Sequence, residues 1–171
     1  MTEQIGAALR LLYPDGRAIT PDSATDDFSL KSLCEDNVYS LTLTPRRAGL
    51  ALAAVEYDIP LPHDLTDVPE ELYIYDDSAY TNDFTSVVPY VGNETRTVYN
   101  LAVFKNLRTR KVFLCGLLTA HRFLAMFNLH DGLVTLRFDL EERELHAGEA
   151  YLLERFMVAE GTDNENVLLE E

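Results

Sequence analysis

The sequence predicts an all-β fold, an antiparallel β-sandwich with short helical connections, and three observations carry that expectation. Tyr, Phe, Val, Thr and Leu recur in short runs, with nine Tyr and eight Phe among 171 residues, and such side chains fit a pleated, half-buried surface. Several runs alternate apolar and polar residues with period two. Turn residues, glycine above all, separate the runs at intervals typical of all-β domains, and no long stretch has helical periodicity.

Taken in order, the chain opens with "MTEQIGAALRLLYPDG". An acidic residue stands where a signal peptide needs positive charge, and the apolar stretch is interrupted by Arg10 and stopped by Pro14. "VYSLTLT" places Tyr39, Leu41 and Leu43 on one face and Ser40, Thr42 and Thr44 on the other, and "AVEYDI" turns Val55, Tyr57 and Ile59 inward and Glu56 and Asp58 outward. Between Asp58 and Asn82 three prolines, paired acids and three tyrosines predict long connections around one short strand, "ELYIY". "TVYNLAVFKN" and "KVFLCGLL" are joined by "LRTR", a hairpin-length link. In "FNLHDGLVTLRFDL" the pair Asp131-Gly132 predicts a two-residue primed turn, since glycine supplies the positive φ. A further turn at Gly148 predicts that "FDLEEREL" and "EAYLLERFMV" continue as consecutive antiparallel strands. The closing "EGTDNENVLLEE", with Asp163 or Asn164 as N-cap, reads as the start of a helix, and hence as the first part of a longer polypeptide.

A length of 171 residues favours one domain with a sizeable core. With 29 acidic against 14 basic residues the formal charge is −15, so most of this surface repels a phosphate backbone and nucleic acid is not an expected partner. No stretch has the length of a membrane-spanning helix. Only two cysteines occur, Cys34 and Cys115, which points to reduced thiols and a cytoplasmic location.

Chemistry is sparse. The histidines, His63, His121, His130 and His146, lack the short spacing to Cys or carboxylate that marks a zinc site, so no metal is expected. There is no phosphate loop, nucleophile elbow or dinucleotide fingerprint. Cys115 in "VFLCGLL" has apolar neighbours and reads as a small core hydrophobe, and His121 and Arg122 read as the polar exit of the same strand. The acidic doublets Asp26-Asp27, Glu70-Glu71, Asp76-Asp77, Glu141-Glu142 and Glu170-Glu171 read as solvated surface, because neighbouring strand residues face opposite ways. "YIYDDSAY" is the exception: it mixes acids with aromatic faces, a combination that suits sugars, which makes Tyr73, Tyr75, Asp76, Asp77 and Tyr80 the candidate ligand-facing residues.

The second half carries a resemblance. In "RKVFLCGLLTAHRF" and "LVTLRFDLEERELHAGEAYLLERFMVAEGTDNENVLLEE", the residues Gly116, Leu118, Thr119, Leu145, Gly148, Glu149, Glu154, Val158, Gly161 and Asp163 keep the order and spacing of a family motif. On them, residues 97–171 resemble the end of the N-terminal β-sandwich of melibiase-type alpha-galactosidases, glycoside hydrolase family thirty-six. The chain departs from that family in lacking tryptophan, whereas members often carry a Trp-containing loop near the sugar.

The resemblance implies a supersandwich-like domain over 1–162, followed at 163–171 by the start of a linker helix leading to a catalytic (β/α)8 barrel outside this chain. It implies a retaining parent hydrolase whose two catalytic aspartates lie in that barrel, so none of the residues here is catalytic and no cofactor is needed. The implied partners are the chain's own barrel, an alpha-linked oligosaccharide reached through the parent enzyme, and further copies in a homo-oligomer. Two other readings remain open: a stand-alone carbohydrate-binding module, with Tyr73, Tyr75, Tyr80 and Tyr90 as its aromatic platform, and a protein assembly domain.

Overall fold

The alternating runs become strands of two stacked sheets in the computed structural model, which describes residues 9–20, 26–76, 86–90, 95–130 and 132–162. In chain order the strands are β1 (Leu9–Leu12), β2 (Ala18–Ile19), β3 (Phe28–Glu35), β4 (Val38–Pro45), β5 (Leu50–Ala51) and β6 (Ala54–Pro60). A single helical turn, α1 (His63–Thr66), and a 3-10 turn at Pro69–Glu71 lead to β7 (Leu72–Asp76), β8 (Ser86–Pro89), β9 (Arg96–Val98), β10 (Leu101–Asn106) and β11 (Lys111–Leu117). The remainder is β12 (Leu124–His130), β13 (Leu133–Asp139), β14 (Glu144–Leu145), β15 (Tyr151–Leu152) and β16 (Phe156–Thr162).

The first sheet runs β2-β1-β6-β13-β12-β9. In the second, β3 pairs with one edge of β4, whose other edge takes β15 and β16, and the sheet continues through β11, β10, β7 and β8. Every pairing among the described residues is antiparallel. The fold is thus the all-β sandwich that the patterning predicts.

The facing sides hold the core. Leu11, Val55, Leu136, Phe127 and Phe138 from the first sheet meet Leu41, Leu43, Ile74, Phe104 and Phe156 from the second, all of them buried. Phe156 stacks on Tyr39 with centroids 5.2 Å apart and tilts against Tyr57 and Phe138 at 5.6 and 6.2 Å, so one ring ties the layers together. Aromatic pairs of this kind contribute about 0.5–1.5 kcal/mol beyond their buried area. Glu56 and Asp58 face outward as predicted, and there they hold Arg10 and Arg137 in a half-buried ionic cluster.

Three turns decide the topology. His130 pairs with Leu133 across a two-residue connection in which Gly132 has φ +73°, as the Asp-Gly pair predicts. The run "TVYNLAVFKN" is two strands rather than one: β9 joins β12 in the first sheet and β10 joins β11 in the second, with Tyr99 and Asn100 crossing between layers. Gly148 does turn, with φ +78°, yet the strands around it do not pair with each other. Its N–H is donated to the Pro45 carbonyl at 2.8 Å, which draws β15 onto β4 and leaves β14 on β5.

One feature of the second sheet departs from a sandwich with one wet face. In β11 the five residues from Val112 to Gly116 are all buried, so both faces of this strand are covered. Phe113 and Cys115 face the main core, whereas Val112 and Leu114 join Val103 and Ala159 in a second apolar cluster, flanked by Leu101 and Met157. Near-continuous apolar runs mark strands covered on both sides.

Candidate functional site

Among the described residues, two of the hollows adjoin the second sheet. The first lies where β11 leaves the core. Leu117 donates its N–H to the Asn100 carbonyl and Leu118 donates to the Arg155 carbonyl, both at 2.8 Å, and the chain then turns through Thr119, Ala120, His121 and Arg122. Glu154 fixes that turn. Its side chain is 3% exposed, and one carboxylate oxygen accepts the N–H of Arg122 at 2.6 Å and of Phe123 at 3.0 Å. The Thr119 hydroxyl and the His121 N–H donate to the same carboxylate, while Thr119 Oγ1 accepts the N–H of Arg155 at 2.8 Å.

Burial by itself raises the pKa of Glu154, but these four donors, from Thr119 and the backbone of Arg122, Phe123 and His121, outweigh it and hold the carboxylate at about 2. A carboxylate saturated with donors stays ionised at neutral pH and cannot act as a general acid there; its work is to position the loop. Next to it Arg122 lies over the Tyr151 ring at 5.6 Å, and the Tyr151 hydroxyl donates to Glu149 and accepts the His146 N–H, each at 2.9 Å. The resulting hollow, about 380 Å³, is lined by Tyr99, Asn100, Leu117, His121, Arg122 and Phe123.

Several residues of the sequence motif therefore meet in one corner. Thr119 and Glu154 form the clamp, Glu149 anchors Tyr151, Gly148 supplies the positive φ, and Leu145 is fully buried beneath. The polar exit predicted at His121 and Arg122 is present, with both side chains exposed, but its backbone is pinned rather than loose.

The second hollow, about 440 Å³, lies on the outer face of β7, β8 and β10 and is lined by Tyr73, Tyr75, Val87, Val103, Lys105 and Leu107. Strand alternation builds it. Leu72 and Ile74 point into the core, so Tyr73 and Tyr75 point away from it, where they stand opposite Lys105 and Val103, and Tyr75 also stands opposite Val87. Tyr75 is 37% exposed, Leu107 51% and Val87 67%, while Val103 belongs to the second apolar cluster.

The structure thus brings together Tyr73 and Tyr75 of the sequence candidates. Asp76 closes β7, its backbone pairing with Ala102 and Ser86. Asp77 and Tyr80 lie outside the described residues, as does the closing helix expected over 163–171. Tyr90 is not a platform residue: it is 4% exposed and its ring meets Phe104 edge-on at 5.4 Å, because it follows the last strand residue inward. Asp27 also departs from the expectation of a solvated doublet, since it accepts from the Tyr13 hydroxyl at 3.0 Å and from Arg47 at 2.7 Å. Cys115 is a core residue as predicted, and burial raises its thiol pKa, away from a reactive thiolate.

Asn106 was not legible as a key residue. Fully buried, it donates to the carbonyls of Leu65 and Val68 and accepts the N–H groups of Arg108 and Thr109, tying α1 and the β10–β11 turn to the sheet. A polar residue ending an apolar run before a turn is the only signal of it in the sequence. Among the described residues no cluster of three His, Cys, Asp or Glu is placed to hold a metal, and no helix is long and apolar enough to cross a membrane.

No protein-family model matches the chain, and no curated protein sequence matches it. Among solved structures, an alpha-galactosidase from Lactobacillus brevis superposes with a TM-score of 0.47 at 10% identity over 94% of this chain. This chain spans 30% of the length of that one. A galactose mutarotase-like protein from Lactobacillus casei ATCC 334 superposes with a TM-score of 0.38 at 10% identity, covering 84% of this chain and 67% of that one.

Proposed function

We propose that this chain is the non-catalytic N-terminal β-sandwich of a glycoside hydrolase resembling alpha-galactosidases, that it packs on the catalytic barrel, and that it shapes the rim of the sugar pocket. The observation that carries the reading is the apolar outer side of the second sheet. A free-standing sandwich keeps such a side polar. Here the exposed Val87 and Leu107 stand beside the buried cluster of Val103, Val112, Leu114 and Ala159, an apolar patch suited to a second folded body.

The clamp of Thr119 and Glu154 supports the same reading, because it gives physical work to residues on which the sequence resemblance stands. Tyr73, Tyr75, Asp76, Asp77 and Tyr80 are the proposed rim, combining aromatic faces with carboxylates. In this reading the parent is a retaining hydrolase, located in the cytoplasm, that acts on an alpha-linked oligosaccharide with no metal or organic cofactor, and its reacting carboxylates stand at the C-terminal ends of barrel strands.

Nitrophenyl glycosides test the proposal on the 171-residue chain alone and on the polypeptide that joins it to a barrel. Turnover by the joined polypeptide only is the expected result. Turnover by the chain alone, or a coding sequence that stops at Glu171, overturns it. Sugar binding by the isolated chain at Tyr73 and Tyr75 favours the carbohydrate-binding module instead.

A further inference from the structure

Edges of a β-sheet are hazards that folds blunt with short strands, charged side chains, proline or bulges. Among the described residues, several edges of the two large sheets follow that practice. Strand β2 has two residues, β9 has three, and β8 has four and ends in Pro89. Strand β3 has charged residues, Lys31 and Glu35, but is not short. It runs for eight residues without proline and pairs with β4 in unbroken register from Phe28↔Pro45 to Glu35↔Val38. Its other side pairs with no strand among the described residues, and every residue from Lys31 to Asn37 is exposed.

The backbone shows which groups that edge offers. Leu41 and Pro45 turn their carbonyls toward β15 and Gly148, so on β4 the alternate residues Val38, Ser40, Thr42 and Thr44 are the ones that bond β3. Their partners Glu35, Leu33, Lys31 and Ser29 therefore spend their N–H and C=O groups inward. Leu30, Ser32 and Cys34 present theirs to the open side. The side chains follow a second alternation: Lys31, Leu33 and Glu35 stand on the outer face beside Ser40 and Thr42, where Leu33 is 49% exposed.

We infer that β3 is a homodimerisation edge, pairing antiparallel with β3 of a second copy about a two-fold axis through Leu33. Charge complementarity selects that register. It sets Leu33 against Leu33, Lys31 against Glu35 of the second copy, and Ser32 against Cys34 of the second copy. An axis through Lys31 or Glu35 opposes like charges, and an axis through Ser32 or Cys34 sets Leu33 against a charged side chain. Hydrogen-bond parity agrees independently: Ser32 and Cys34 hold the outward-facing groups and form the bonded pairs, while Leu33 falls at a non-bonded position, where side chains approach most closely. An edge pairing of this length buries less than a standard interface, so the dimer is a weak one.

Sedimentation of the full chain over a micromolar-to-millimolar series is the test. The wild-type chain dimerises in the upper part of the series. Lys31→Glu and Glu35→Lys each turn two attractive cross-strand pairs into repulsive ones and weaken the dimer roughly tenfold. Mixing the two variants restores association as a heterodimer, because each chain then meets opposite charge at both positions. Leu33→Cys in a Cys34→Ser background forms a disulfide-linked dimer with oxidised glutathione as the oxidant. A chain that stays monomeric throughout, a dimer indifferent to either charge reversal, or a mixture as dissociated as its components overturns the inference.

Discussion

The hollow beside His121 takes its shape mainly from backbone: three N–H groups and the Thr119 hydroxyl converge on one buried carboxylate, and hydrogen bonds hold a turn with exposed side chains. The hollow over Tyr73 and Tyr75 takes its shape from side chains alone, set out by period-two alternation on a sheet whose core-facing residues would be the same without them. Sequence pattern speaks to the second kind and is silent on the first. The difference also separates stability from binding, since removal of a positioning group damages the fold, while removal of a surface ring damages only what rests on it.

The sharpest break of that comparison is Glu154→Ala. Up to four buried or half-buried donors then lose their acceptor, and the expected cost is about 3–5 kcal/mol, read as a lowered midpoint in urea unfolding with an unchanged slope. Acid gives the same answer without a mutation. The carboxylate titrates at about 2 in the folded chain against an ordinary 4.5, so its contribution is fully present above pH 4.5 and is lost as pH falls toward 2. That contribution is about 3 kcal/mol. Glu154→Gln keeps the shape and one acceptor, and should flatten this part of the stability profile. A variant whose stability falls between pH 4.5 and 2 as steeply as the wild type shows that another group titrates there.

How much of this could be read beforehand follows from the same distinction. Alternation at Leu41 and Leu43, at Val55, Tyr57 and Ile59, and at Val134, Leu136 and Phe138 is local, and those strands lie with the predicted faces buried. The turn at Asp36 and Asn37 is local too, since both residues tolerate the left-handed φ of 50° and 64° that the β3–β4 hairpin uses. Pairing partners were not legible: β15 on β4 and β14 on β5 join residues about a hundred positions apart, as do the bonds from Gly148 to Pro45 and from Leu153 to Leu41 beside them. Glu154 was legible as a motif position and not as a clamp, because its donors come from more than thirty residues away.

Tyr75→Ala sits in the middle of the range. The ring is more than a third exposed and its neighbours Val87 and Leu107 are more exposed still, so the expected cost in stability is at most about 1 kcal/mol. In the joined polypeptide the expected effect is a several-fold higher KM with kcat nearly unchanged, the signature of a contact made equally in the ground and transition states. If Tyr75→Ala instead separates the sandwich from the barrel, seen as faster proteolysis between them, the hollow is a packing surface and Tyr75 is no rim residue.

The smallest expected effect belongs to His121→Ala. Its backbone N–H does the structural work, donating to Glu154, and that bond survives the substitution. The side chain is exposed, so unfolding should shift by no more than about 0.5 kcal/mol. If the tyrosine hollow is the part of this domain nearest the sugar, KM and kcat of the joined polypeptide should also stay at wild-type values. The alternative is equally definite, because the clamp holds His121 and Arg122 at a fixed place on the rim of a 380 Å³ hollow, and a fixed polar pair is what a binding site requires. Loss of activity in His121→Ala with an unchanged unfolding midpoint, beside a Tyr75→Ala enzyme that keeps wild-type kinetics, would therefore reverse the assignment of the two hollows while leaving the clamp's role untouched.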